Sequence, residues 1–91
     1  MPFRWLPIAL ESLHRIEPYE VQQALAAPVR WPRLAYSEAG LPVLTIWART
    51  GAGRGLIIVV RQNDPMDWDI VGAREMRRDE SLTFDEWEAS R

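Results

Sequence analysis

The stretch GLIIVVRQ, residues 55–62, holds five consecutive apolar residues, Leu56 to Val60, and four of them are β-branched. A strand with one wet face alternates apolar and polar side chains; this run does not, which suits a central strand covered on both faces. A sheet must therefore be built around it. PVLTIWART (42–50) precedes it and is also rich in β-branched residues, with GAG at 51–53 as a flexible turn between the two. After it come the turn signal NDPMD (63–67) and the strand WDIVGA (68–73). VRWPRLAY (29–36) reads as an irregular edge strand broken by Pro32, and Phe3-Arg4-Trp5 as a short edge strand that tolerates Pro2 at its start.

Helical spacing marks the remainder. Leu6, Ala9, Leu10, Leu13 and Ile16 form one apolar stripe and predict a helix over 7–16, with Pro7 at its first position. Pro18 restarts the pattern, and Tyr19, Val21, Ala24 and Leu25 predict a second helix over 18–27, stopped by Pro28. A terminal helix starts somewhere in 75–83, with Phe84 and Trp87 three apart and Thr83 with Glu86 as a capping box. The predicted class is α+β: a three- or four-stranded antiparallel meander with two N-terminal helices and one C-terminal helix packed on one side. At 91 residues this is a single domain over 1–91. A chain of that size buries roughly 60–65 % of its unfolded surface, enough for one modest core.

Composition narrows the chemistry. Cysteine is absent, so disulfides, thiol nucleophiles and zinc ribbons fall away together, and His14 is the one histidine, which argues against zinc or non-haem iron. No cofactor is expected. No apolar run approaches the length of a membrane span, and the N-terminal MPFRWLPIALE lacks the order of a signal peptide, so a cytoplasmic location is expected. GAGRG (51–55) lacks the Gly-Lys-Ser/Thr ending and the following helix of a phosphate loop. Asp64, Asp67 and Asp69 crowd together, but turns favour aspartate for backbone reasons, and no metal is assigned to them.

All 11 basic residues are arginine, in a chain of net charge −2. The planar guanidinium fork suits phosphate or carboxylate. Arg49 ends the first long strand and Arg54 follows the GAG turn. In a meander the third strand runs parallel to the first, so Arg74 returns to the same edge of the sheet, its backbone roughly 10 Å from that of Arg49. Two guanidinium groups could meet on one phosphate there, provided that register puts them on one face, because a one-residue slip inverts a side chain. Arg61 ends the middle strand at the opposite edge. Fixed cations stabilise the anionic phosphorane formed when a 2′-hydroxyl attacks an RNA phosphodiester. His14 or Glu75 could act there as general base or acid, although Glu75 also suits the start of the last helix. Of the five tryptophans, at least three should be core. Trp31, between Arg30 and Pro32, is the candidate to face outward and stack a base.

These motifs together resemble the BrnT-type toxins of bacterial type II toxin–antitoxin modules, small ribonucleases of the RelE/ParE superfamily. FRW and the helix leading to His14 are similar to the family's opening, IEPYEVQQAL to its second helix, WARTGAGRGLIIVVR to its strands around a "GRT…GR" turn, and WDIVGAREM to the last strand running into "AR". The resemblance implies a metal-independent endoribonuclease that cleaves mRNA and blocks translation. Its implied partner is a DNA-binding antitoxin encoded beside it, in a toxin–antitoxin complex or alongside a homodimer. By the resemblance Arg49 corresponds to the arginine of the "GRT" strand end and Arg74 to that of the "AR" motif, the expected catalytic pair. The residues themselves add His14 and Glu75 as catalytic candidates and Arg54, Arg61 and Trp31 as substrate-binding ones. The alternative is a relative of the same fold that binds a protein without cleaving RNA. The departures are an acidic balance, Ala48 where the family has glycine, and Leu13-His14-Arg15 where it has lysine-histidine-glycine. The nuclease reading requires guanidinium groups that share a face and are not locked to carboxylates.

Overall fold

The computed structural model of the chain describes residues 3–91, so the expectation for Pro2 lies outside the described residues. The elements run β1 (Phe3–Trp5), α1 (Pro7–Glu11), α2 (Pro18–Leu25), β2 (Arg30–Tyr36), β3 (Pro42–Arg49), β4 (Gly55–Asp64), β5 (Asp67–Glu75) and α3 (Arg78–Ala89). All five strands join one sheet in the order β1-β5-β4-β3-β2. The class is α+β, as the periodicities predict, but the sheet is five-stranded and mixed. β2 to β5 form the antiparallel meander, and β1 adds to β5 in parallel, with Phe3 opposite Trp68 and Trp5 opposite Ile70.

The apolar run of β4 explains the layering. Leu56, Ile58 and Val60 face α2 and form one core with Val21, Ala24, Leu25, Ile46, Ala48 and Ile70. Ile57 points the other way, into a second cluster with Trp47, Met76 and Phe84 of α3. Both faces of the strand are covered, as a run without polar alternation demands. The expectation that all helices pack on one side is therefore corrected: α1 and α2 lie on one face and α3 on the other. A single layer of helices would have left Ile57 and Trp47 in water.

α1 is shorter than its apolar stripe. It ends at Glu11, and the chain then turns through Arg15, whose φ of 59° lies in the left-handed region. Ile16 is nevertheless buried and Leu13 packs against the same core, so beyond the helix the stripe still reports burial, while Leu10 within it is exposed. α2 opens on Pro18 with the Glu20 carboxylate accepting the Glu17 N–H at 3.0 Å, and it ends at Leu25, short of the predicted 27. There Arg30 donates to the Leu25 carbonyl at 2.6 Å, satisfying a helix-end acceptor. α3 does not use the Thr83–Glu86 capping box. Glu80 accepts the Arg77 N–H at 2.8 Å, and Thr83, already one turn inside, donates to the Asp79 carbonyl.

Two local devices set the sheet's register. The Thr50–Arg54 turn closes with Thr50 N–H on the Arg54 carbonyl and Gly53 at φ 89°, a conformation that glycine adopts without steric cost. In β5, Val59 pairs with Gly72 but Val60 pairs with Ile70, so Val71 is an extra residue bulged out of the ladder. Pro32 sits in β2, a fully paired outer strand rather than an irregular one, where a missing N–H is tolerated if it would have faced away from β3.

Candidate arginine–tryptophan face

The bulge at Val71 decides where Arg74 points. Without it, Ile70, Gly72 and Arg74 would share a face and Arg74 would lie under α2. With it, Arg74 is opposite Ile57, which is opposite Trp47, and Arg49 follows two residues after Trp47 on the same face. Arg49 and Arg74 thus both project toward α3. Trp31 pairs with Trp47 and Arg33 with Thr45, which brings Trp31 and Arg33 to that face as well.

Each of the two guanidinium groups is engaged by α3. Arg74 holds Glu80 through two parallel bonds, Nη1 to Oε1 at 2.6 Å and Nη2 to Oε2 at 2.7 Å. The bonds from Arg74, together with the Arg77 N–H, pull the Glu80 carboxyl down to about 2 against the opposing effect of burial. Arg49 bonds Asp85, reaches Glu88 at 3.2 Å and lies 5.1 Å above the Phe84 ring. Its Nη1 also donates to the Gly53 carbonyl at 3.3 Å. The two arginines share a face, as a phosphate site requires, but both are locked to carboxylates. A phosphate reaches them only by displacing Glu80, Asp85 and Glu88.

The other predicted residues do not join them. Arg54 points to the opposite face, between Glu75 at 2.5 Å and Glu20 at 3.1 Å. Hydrogen bonding by the Glu17 N–H and by Arg54 holds the Glu20 carboxyl below its usual range despite burial. Glu75 is the last residue of β5 rather than part of the helix, and its bond to Arg54 puts it on the wrong side of the sheet to serve Arg49 and Arg74. His14 is exposed in the link between α1 and α2 rather than late in α1. Arg61 is exposed on β4 opposite Asp69, toward the other end of the strands. Trp31 does not face outward: it is half-buried, stacked on Trp87 at 4.9 Å with ring planes 3° apart, and edge-on to Trp47 at 5.6 Å. Only Trp47 of the tryptophans is buried outright; the other four are half-buried against the two cores.

The aspartates of the last hairpin are occupied structurally. Asp64 accepts the Met66 and Asp67 N–H groups at 2.8 and 3.0 Å, and buried Asp69 pairs with Arg4 at 3.3 Å. Among the described residues, no group of three or more histidine, cysteine, aspartate or glutamate side chains is placed to hold a metal ion. No helix of the described residues is long and apolar enough to cross a membrane.

Sequence reasoning missed two parts of this face. Arg33 stands 4.4 Å above the Trp31 ring and 4.9 Å from that of Trp47, an arrangement that only strand pairing creates. The partners on α3 had a readable signal: Glu80, Phe84, Trp87 and Glu88 recur at helical spacing, so acids and aromatics share one side of that helix. No protein-family model matches the chain, and no curated protein matches it significantly.

Proposed function

We propose that this chain is the toxin-like member of a type II toxin–antitoxin pair, an RNA-directed protein of the BrnT type whose phosphate ligands are Arg49 and Arg74. The observation that carries the reading is their delivery, by the ends of alternate strands and a bulge at Val71, to one sheet face that also bears Trp31, Trp47 and Arg33. Guanidinium groups beside indoles are what single-stranded RNA needs, phosphates meeting the first and bases the second. A further support is Arg15: it occupies the step where the resemblance has a glycine, and its backbone takes the conformation that favours one.

The requirement for unlocked guanidinium groups is met only once RNA has displaced Glu80, Asp85 and Glu88. The chemistry would then be metal-independent attack of a 2′-hydroxyl on phosphorus with cleavage of the P–O5′ bond. The two arginines would stabilise the phosphorane while water takes the 2′ proton and supplies one to the 5′ oxygen. His14 and Glu75 are not within reach of this pair, so the arginines would act without a dedicated proton carrier, and turnover would be slow. Purified protein incubated with mRNA and EDTA tests this. Slow cleavage is expected, and the Arg49→Ala/Arg74→Ala variant should lack it. Cleavage unchanged in that variant would remove both residues from the mechanism.

A second reading is favoured by the carboxylates on Arg49, Arg54 and Arg74. The same fold would then bind a protein partner, such as an adjacently encoded antitoxin, without cleaving RNA. Induced expression separates the two: growth arrest with degraded mRNA supports the nuclease, and normal growth with intact mRNA supports the binding module.

A further inference from the structure

α3 contributes Asp79, Glu80, Asp85, Glu86 and Glu88 against the single basic residue Arg78. On the face it covers, its carboxylates take Arg74 and Arg49, and its Trp87 ring lies flat on Trp31. These are the two contacts that a single-stranded nucleic acid makes with a basic aromatic surface: an anion on each guanidinium and a flat ring on an exposed indole. Phe84, fully buried between them, pins the helix in place.

We infer that α3 is a built-in counterfeit of the RNA ligand, an autoinhibitory strap whose acidic side and single-stranded RNA compete for the Arg49–Arg74–Trp31 face. This inference rests on the RNA-directed reading above and adds its regulation. Arg33 is exposed and makes no ion pair among the described residues, so it supplies a first phosphate contact before the α3 carboxylates give way. A strand of RNA then replaces the carboxylates one at a time. Because the pairs of Arg49 are partly exposed, salt weakens them along with RNA binding itself, and the competition is best read at low ionic strength.

The test is fluorescence anisotropy with a labelled single-stranded RNA of about 10 nucleotides, a length within the usual site sizes for such surfaces. Glu80→Gln/Asp85→Asn/Glu88→Gln frees both arginines, keeps Phe84 and Trp87, and leaves an amide oxygen at position 80 for the Arg77 N–H. The control Glu11→Gln/Glu38→Gln/Glu86→Gln makes the same change of formal charge, from −2 to +1, at exposed carboxylates with no ion-pair partner among the described residues. The first variant should bind about tenfold or more tightly than wild type, as expected for two added phosphate contacts, and the control within about threefold. Adding Arg49→Ala/Arg74→Ala to the first variant should reverse most of the gain. If the triple variant does not fold, Asp85→Asn/Glu88→Gln is read on the same scale.

Equal gains in the two triple variants would reduce the effect to net charge and overturn the strap. Wild type binding as tightly as the freed variant, with loss of binding in Arg49→Ala/Arg74→Ala, would overturn the strap while leaving the RNA-directed reading standing. Binding by none of the proteins would overturn both.

Discussion

Arg15 is the one non-glycine residue with positive φ among the described residues, at 59°. For an L-residue with a Cβ this conformation costs about 1–2 kcal/mol. Arg15 is exposed, and its side chain makes no hydrogen bond or ion pair among the described residues, so nothing local offsets that cost. Arg15→Gly removes the steric term but gives the unfolded chain extra freedom, worth about 0.5–1 kcal/mol in the opposite direction. The balance is a net stabilisation of about 0.5–1 kcal/mol. For a domain of this size that is a rise in melting temperature of roughly 2–8 °C. Thermal unfolding followed by circular dichroism reads it directly, and urea titration should move the midpoint without changing the slope. Arg15→Ala separates backbone from side chain, since alanine keeps the Cβ and should leave the melting temperature near that of wild type. A melting temperature that is unchanged or lower in Arg15→Gly would refute the strain, and an equal rise in both variants would place the effect in the arginine side chain.

Phe84→Ala should cost about 3–5 kcal/mol, a large part of the roughly 5–10 kcal/mol available to such a domain, because the ring is wholly buried between α3 and the sheet; urea denaturation measures it. The Glu80 carboxyl is held down to about 2, so its contribution is fully present above the ordinary carboxylate value of 4.5 and is lost as pH falls toward 2. Glu80→Gln should therefore flatten the stability profile between about pH 5 and pH 2, and a slope identical to that of wild type would show that the Arg74 pair contributes nothing. A Cβ on Gly55 would stand 2.8 Å from the Met76 sulfur, so Gly55→Ala should destabilise by about 1 kcal/mol as that flexible side chain shifts, and Gly55→Ala with Met76→Ala should cost less than the sum of the two.

The strands of the meander were legible because their signals are local. β-branched runs separated by GAG and NDPMD specify β3, β4 and β5 to within a few residues. The stripe Leu6 to Ile16 was legible as burial, Leu10 apart, but not as a full helix, since a link that turns only Leu13 and Ile16 inward continues the helical period. β1 could be recognised as a strand but not placed, because nothing in FRW says that its neighbour lies 65 residues away on β5. The candidate site was legible as a set of arginines and illegible as a geometry. Whether Arg74 joins Arg49 turns on one bulged residue, Val71, whose apolar side chain fits a bulge or a regular position equally well. Pairing with Glu80, Asp85 and Glu88 follows from which side of the sheet α3 takes, a choice made by Trp47 and Ile57 needing cover.

The parallel pairing of β1 with β5 has a consequence for how the chain comes to exist. Among the described strands the earliest, β1, finds its neighbour in the latest, β5, and the start of α1 is tied to that same strand through the Leu6 N–H on the Ile70 carbonyl. During synthesis the N-terminal segment therefore waits without a docking place while the sticky Leu56–Val60 run emerges beside it. Closing so long a loop is slow. The β2–β3–β4 meander and α2 pair without β5, whereas β1 and α1 gain their place in the fold only through residues 67–75.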